Sequence, residues 1–364
     1  MRITIKDIAL KAGVSKTTVS FAFNNPSKLS AATRERVLRI AEELGYVPDP
    51  IARTLTTKRI GAIGLLLPQP IHEALRNPYL GELTQGIGAA CLERESALMI
   101  VPPIGGRVME AARRAVVDAM LAIGVGQDHD VVTLIRNRNI PLVTIDGDSE
   151  AGFPNVGIDD EAAAFELMSH VLGLGHRRIA VIELESAPCF PSNGRDVPAR
   201  GSIVCRRRMA GFGRAMAAFG LDPSRTGLAA YRSAGSLDGG RAAASRILDD
   251  GSATAVIAMA DIVAMGLYQV CADRGVSIPS DLSIASFDDI EFASLLSPGL
   301  TSIRQPGYMK GYVAARALLS MLKGASTEGA SLLRFQDGAL SGDASAMPYE
   351  LVVRGSTATP RSGA

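Results

Sequence analysis

The spacing of Ala9, Gly13 and Val19 within KDIALKAGVSKTTVSFAF, Lys6 to Phe23, limits this chain more than any other stretch. A small residue lets two helices touch, a glycine takes the left-handed turn between them, and a β-branched residue locks the second helix onto the first. Thr4 can cap a helix from Ile5, whose Ile5, Ile8, Ala9 and Ala12 recur at the spacing of one buried face. Ser15 can cap a second helix with Val19, Ala22 and Phe23 as its apolar side, ended by Asn24-Asn25-Pro26. A third follows, capped by Ser30, with Val37, Ile40, Ala41 and Leu44 as its stripe and Gly45 just beyond. These residues predict a three-helix module containing a helix-turn-helix.

On that register Ser15, Lys16, Thr17, Ser20 and Phe21 project away from the packed side, where a DNA major groove would meet them. Thr4, Thr18 and Asn24 complete the candidate DNA contacts of the module. Charge supports this assignment. Residues 1–60 hold 11 Lys/Arg against 5 Asp/Glu, whereas the rest of the chain has 27 against 32. A basic head on a mildly acidic body is expected when only the head touches phosphates. Phe21 cannot make the bidentate bond that an arginine gives guanine, but it can press on a thymine methyl.

A chain of 364 residues suggests two or three domains, and 47% hydrophobic with 21% charged residues argues against wholesale disorder. After the extended Pro48-Asp49-Pro50 comes IARTLTTKR, a weakly helical segment with Ala52 and Leu55 on one face, too short to hold a helix alone in water. From Ile60 onward short Val/Ile/Leu-rich runs such as IGAIGLLLP, ALMIVPP and PLVTIDG alternate with amphipathic stretches such as YLGELTQGIGAACLERE. The pattern restarts at AAAFELMSHVLGLG and runs through RIAVIELE, TAVIAMA and LSIASFDD. Such alternation implies parallel sheets covered by helices on both faces, and two successive runs imply two lobes with a ligand cleft at the carboxyl ends of the strands.

Cys91, Cys189, Cys205 and Cys271 lack metal-type spacing and read as small buried residues of a reducing compartment. The N-terminus, with Asp7 and Lys11 in its first apolar stretch, is no signal peptide, and no apolar run approaches the roughly 20 residues of a membrane span. A cytoplasmic protein without membrane contact is expected. No G-x-G-x-x-G follows a strand, no G-x-S-x-G elbow occurs, and His170 and His176 suit a helix end and a turn better than a metal. The expectation is therefore no enzyme and no cofactor. A solute receptor with the same body would need a signal peptide and would lack the basic head.

The stretches TIKDIALKAGVSKTTVS, LSAATRERVLRIAEELGYVPDPIARTL, NPYLGELTQGIGAA, RRMAGF, AMADIVAMG and SIPSDLSIASFDDIEFASLLSPGLTSIRQP together resemble the LacI family of bacterial transcription regulators, in order and along nearly the whole chain. The resemblance implies a helix-turn-helix head at 1–48, a hinge helix at 49–59, and a periplasmic-binding-protein-like effector domain. Its first lobe would comprise 60–161 plus about 303–330, and its second 162–302 plus about 331–364. Ile51 to Thr57 would fold in the minor groove of operator DNA, with Leu55 wedged into a base step and Ala52 beside it. The implied partners are double-stranded operator DNA, a sugar-like effector, and a second copy in a homodimer, or a tetramer built from it. For the effector, Tyr79, Asp146, Arg208, Asp261 and Asp288 match the family's cleft positions. A polyol needs such carboxylates to accept its hydroxyl protons, a guanidinium to donate, and an aromatic face. Ala260 and Ser286 depart from the family pattern, removing one polar contact and one glycine.

Overall fold

The computed structural model describes residues 3–49, 54, 59–125, 130–147, 153–185, 202–222, 228–322, 334–336, 339–341 and 346–361. The chain divides into two compact units, Met1–Gly61 and Ala62–Ala364.

The first unit is the three-helix module, α1 (Ile5–Ala12), α2 (Lys16–Asn24) and α3 (Ala31–Glu43). Ile8, Ala9, Ala12, Val19, Ala22, Val37 and Ala41 form its buried core. Gly13 has φ 64°, and the N–H of Val14 reaches back to the Ala9 carbonyl at 3.0 Å, so the glycine makes the turn that the spacing required. Ser15 Oγ accepts from Thr18 N–H at 3.0 Å and Ser30 Oγ from Thr33 N–H at 3.3 Å, the two caps expected. At α1 the backbone N–H and hydroxyl of Thr4 both donate to Asp7, at 2.9 and 2.7 Å. These bonds hold the Asp7 carboxyl below its usual range. Of the hinge segment, Ala52 and Leu55 lie outside the described residues, while Thr54 is helical.

The second unit holds two sheets. In the first lobe β1 (Ala62–Leu66), β2 (Ala97–Val101), β3 (Ala119–Ile123), β4 (Leu142–Ile145) and β5 (Asn155–Val156) lie in the order β2-β1-β3-β4-β5, all parallel. Helices α4 (Pro78–Glu93), α5 (Val108–Arg114) and α6 (Asp130–Asn137) connect them. β1 is buried at every position, as a central parallel strand covered on both faces must be.

The second lobe contains α7 (Asp160–Gly173), β6 (Ile179–Leu184), α8 (Ile203–Ala218), β7 (Ala229–Ser233), α9 (Leu237–Asp250), β8 (Ala255–Ala258), α10 (Asp261–Asp273), β9 (Ser283–Asp288) and β10 (Thr301–Arg304). Then come α11 (Gly307–Met321), the short hairpin β11 (Arg334–Gln336) and β12 (Ala339–Ser341), and β13 (Glu350–Val352). The second sheet runs β13-β10-β9-β8-β6-β7, parallel except for β13 against β10. Although it follows β10 directly, α11 packs on α4, β3 and β4 of the first lobe. Ile158 bridges Met347, whose N–H donates to the Gly157 carbonyl at 2.7 Å.

The sequence pattern did not read β5, β7, β10, the hairpin of β11 and β12, β13 or α11. β7 is a sheet edge whose residues alternate in exposure and include Tyr231 and Arg232, so it lacks the apolar run of a covered strand. Cys91, Cys205 and Cys271 are buried and free, and burial pushes the thiols of Cys91 and Cys271 up to about 11. Cys189 lies outside the described residues. His170 ends α7 and meets Thr357 at 3.0 Å, while the buried His176 ties Thr254 at 2.9 Å to the Ala358 carbonyl at 2.8 Å. Burial lowers the pKa of both imidazoles, in keeping with a structural role.

Candidate functional site

The face of α2 away from the core carries Lys16 and Thr17 exposed, with Thr18, Ser20, Phe21 and Asn24 half-buried. Ser15 and Thr18 are partly engaged with each other, hydroxyl to hydroxyl at 2.9 Å, and Asn24 Nδ2 donates to Ser20 at 3.4 Å. Lys28, from the turn after α2, places its ammonium 5.0 Å from the centroid of the Phe21 ring. A cation held over an aromatic face is stabilised by the ring quadrupole by about 0.5–1 kcal/mol at an exposed site. The phenylalanine that looked out of place on this face thus has a basic neighbour.

In the second unit the candidate effector residues are brought together at the carboxyl ends of strands. Asp146 follows β4 with φ 52°, and Asp288 ends β9 with φ 116°. Left-handed backbone at a residue other than glycine costs about 1–3 kcal/mol and gathers at functional sites. Tyr79, in the first turn of α4, donates its hydroxyl to Asp146 Oδ2 at 3.1 Å. Burial and the Asp146 charge raise the Tyr79 pKa far above its usual value, so the phenol stays a donor. Lys310 of α11, fully buried, donates to Asp146 Oδ1 and Gln305 Oε1 at 2.6 Å each and to the Tyr79 oxygen at 3.0 Å. The Gln305 amide in turn donates to Asp288 Oδ1 at 2.6 Å.

Arg208, 3% exposed, donates to Asp160 Oδ1 at 2.9 Å and to the Met259 carbonyl at 2.6 Å, and its guanidinium lies 3.9 Å from the Phe287 ring centroid. Burial opposes its charge, but Asp160 and Asp288 more than offset this and raise its pKa. Asp261 is anchored differently. It accepts from Ser302 Oγ at 2.8 Å and from the Ile290 N–H at 2.9 Å, and burial with the nearby Asp288 raises its pKa well above the carboxylate range. The five predicted residues therefore fall into three linked groups. Tyr79 and Asp146 share one, Asp288 joins them through Gln305 and Lys310, and Arg208 and Asp261 flank β8 and β9.

Sequence reading missed Asp160, Gln305 and Lys310. The clearest available signal is Lys310 in GYMKGYVAARALL, a charge on the stripe of Gly307, Gly311, Ala314 and Leu318 that α11 buries. Asp160, one residue past the cap Asp159, looks like an ordinary first-turn acid until Arg208 is placed against it.

Burial raises the Asp288 pKa to about 7, against the pull of Arg208, Gln305 and Lys310. A carboxyl that holds its proton more tightly when folded stabilises the fold at low pH and loses that contribution as pH rises through the folded pKa. Between pH 6 and 8 this one group should cost the body about 1 kcal/mol, read as a falling urea midpoint by circular dichroism. Asp288→Asn should flatten that fall, and an equal slope in both proteins would show that Asp288 does not titrate there.

A helix-turn-helix head and a two-lobed α/β body of the periplasmic-binding type define the class of this chain. Residues 4–49 match the bacterial regulatory proteins of the lacI family, and residues 168–357 match the periplasmic binding protein-like domain. HTH-type transcriptional regulator Rv3575c of Mycobacterium tuberculosis is 35% identical over 328 residues, 87% of this chain and 90% of that protein. HTH-type transcriptional repressor CytR of Escherichia coli is 29% identical, covering 97% of this chain and 96% of CytR. The lac repressor dimer bound to operator and the anti-inducer ONPF superposes with a TM-score of 0.75 at 23% identity, over 98% of this chain and 100% of that chain. The chain belongs to the LacI family and is a DNA-binding transcriptional regulator, not an enzyme. Among the described residues no helix is long and apolar enough to cross a membrane.

Proposed function

We propose that this regulator is a cytoplasmic repressor whose affinity for operator DNA is set by a small polyhydroxy molecule bound between the lobes. The observation that carries the reading is that Tyr79, Asp146 and Asp288 are joined through Lys310 and Gln305 at the carboxyl ends of the strands of both sheets, with the buried Arg208 and Asp261 each close enough to Asp288 to feel its charge. Ligands of such α/β folds bind at that end of the sheet, and paired carboxylates with a guanidinium suit hydroxyl groups. CytR is named a repressor, and two structurally similar regulators are described with cellobiose and with ribose. On this reading two copies bind an approximately palindromic operator, each placing α2 in a major groove and Leu55 of its hinge in the minor groove. A tetramer would pair two such dimers.

The test is operator binding by fluorescence anisotropy, on DNA from upstream of the gene, titrated with a panel of neutral mono- and disaccharides. The full chain should bind one fragment tightly and at least one sugar should shift that affinity. A protein lacking residues 1–59 should bind no better than to random DNA, and equal binding with and without the head would end the repressor reading.

Base preference gives a finer check on α2. If Phe21 faces the groove, Phe21→Arg should change preference at one symmetric pair of operator positions, by about 1–3 kcal/mol of discrimination. Selection from a randomised operator would show it, and an unaltered preference would mean that Phe21 only packs against Lys28.

A further inference from the structure

Lys310 lies on the buried stripe of α11 and has no exposed surface. An ammonium withdrawn from water is costly unless its charge and donors are met. Three acceptors meet this one, Asp146, Gln305 and the Tyr79 oxygen, and three acceptors use three N–H donors, which only the charged form of lysine supplies.

These acceptors do not belong to one lobe. Tyr79 stands on α4 and Asp146 follows β4, while α11 itself packs on the same first lobe. Gln305 is fastened to the second lobe, because its backbone N–H donates to the Asp288 carbonyl at 3.2 Å and its side-chain amide to the Asp288 carboxyl at 2.6 Å. The bond from Lys310 to Gln305 therefore joins the lobes where the chain crosses between them. It also orients the glutamine, since an oxygen turned to the ammonium leaves the NH2 group for Asp288.

We infer that Lys310 is a positioning residue of the effector site and a buried polar tie between its lobes, which the bond from Arg207 to the Gly147 carbonyl at 3.1 Å also links. Its ammonium holds Asp146 and the Gln305–Asp288 pair in one mutual arrangement, so a ligand that engages either acid alters the angle between the lobes through Lys310. The link to a ligand rests on the effector reading above, whereas the tie between the lobes stands without it.

The test uses the full chain and two variants, Lys310→Met and the double variant Lys310→Met/Asp146→Asn, which leaves no unpaired buried carboxylate if the single change prevents folding. Amide exchange followed by mass spectrometry should rise about tenfold in segments 304–307 and 144–147, with β8 and the last two turns of α11 protected as before. A lysine that only packs α11 would instead loosen 307–321 as a whole, and that result, or unchanged exchange at the crossing, overturns the inference. In the second arm, operator affinity is measured with and without the sugar that shifts the wild type most. The ratio should fall towards one in Lys310→Met, from the roughly 5–150-fold usual for such coupling. An unchanged ratio overturns the inference. If no sugar shifts the wild type, the effector reading fails instead, and the exchange experiment still decides the role of Lys310.

Discussion

Arg208→Ala should destabilise the effector body by about 3–5 kcal/mol, because it leaves the carboxylate of Asp160 buried without its cation. Both side chains of this pair are almost wholly withdrawn from solvent, at 4% and 2% exposure, so water cannot take the place of the guanidinium. The loss extends beyond the pair. The Met259 carbonyl loses its donor, and the Phe287 ring loses the cation stacked 3.9 Å from its centroid. Urea unfolding followed by circular dichroism measures the effect, and the second substitution Asp160→Asn in the Arg208→Ala background should recover a large part of it. A cost below about 1 kcal/mol for the single variant would place the pair among ordinary surface ion pairs, in conflict with its burial.

Two glycines of α4, two residues apart, should respond with opposite signs. A Cβ at Gly86 would fall on the Tyr308 carbonyl oxygen and 2.8 Å from the Tyr312 nitrogen, both backbone atoms of α11 that cannot turn aside. The facing Gly311 meets the Leu83 carbonyl of α4 in the same way, so the two helices touch backbone to backbone. Gly86→Ala should therefore cost about 3 kcal/mol or more, at the upper end of overpacking effects. Gly88 has nothing within 4 Å of its would-be Cβ, and Gly88→Ala should gain about 0.5–1 kcal/mol from helix propensity. Thermal midpoints of the two variants, read on either side of the wild type, would establish the close approach. Equal shifts would show that α4 and α11 are further apart.

This contact also bears on function, because α11 carries Lys310. Forcing α11 away from α4 would draw the ammonium from Tyr79 and Asp146, so Gly86→Ala should disturb the effector cluster as well as the core.

Local chemistry made the head readable in advance. Its three helices are set by caps at Ser15 and Ser30, a left-handed glycine at 13 and a 3.6-residue apolar stripe, all acting within a few residues of one another. The same holds for the covered strands, whose unbroken Val/Ile/Leu runs reflect burial on both faces. Asp146, Arg208, Asp261 and Asp288 were legible as candidates only through the family resemblance of the short motifs that hold them, at strand ends and on the helices beside them.

What the sequence determined by itself is therefore the head and the alternation of most strands and helices, and its resemblance to a family pointed to most of the acids and the guanidinium of the site. Tertiary structure alone decided which of them share bonds. Lys310 lies 164 residues from Asp146 and 231 from Tyr79 along the chain, and no local rule relates them. Their meeting depends on the chain leaving the second sheet at β10 and returning α11 to the first lobe, so that a lysine on a helix's apolar stripe lands on a carboxylate. Propensity, capping and periodicity act over one or two turns, whereas the pairing of buried charges is fixed only when distant segments close around them and exclude water.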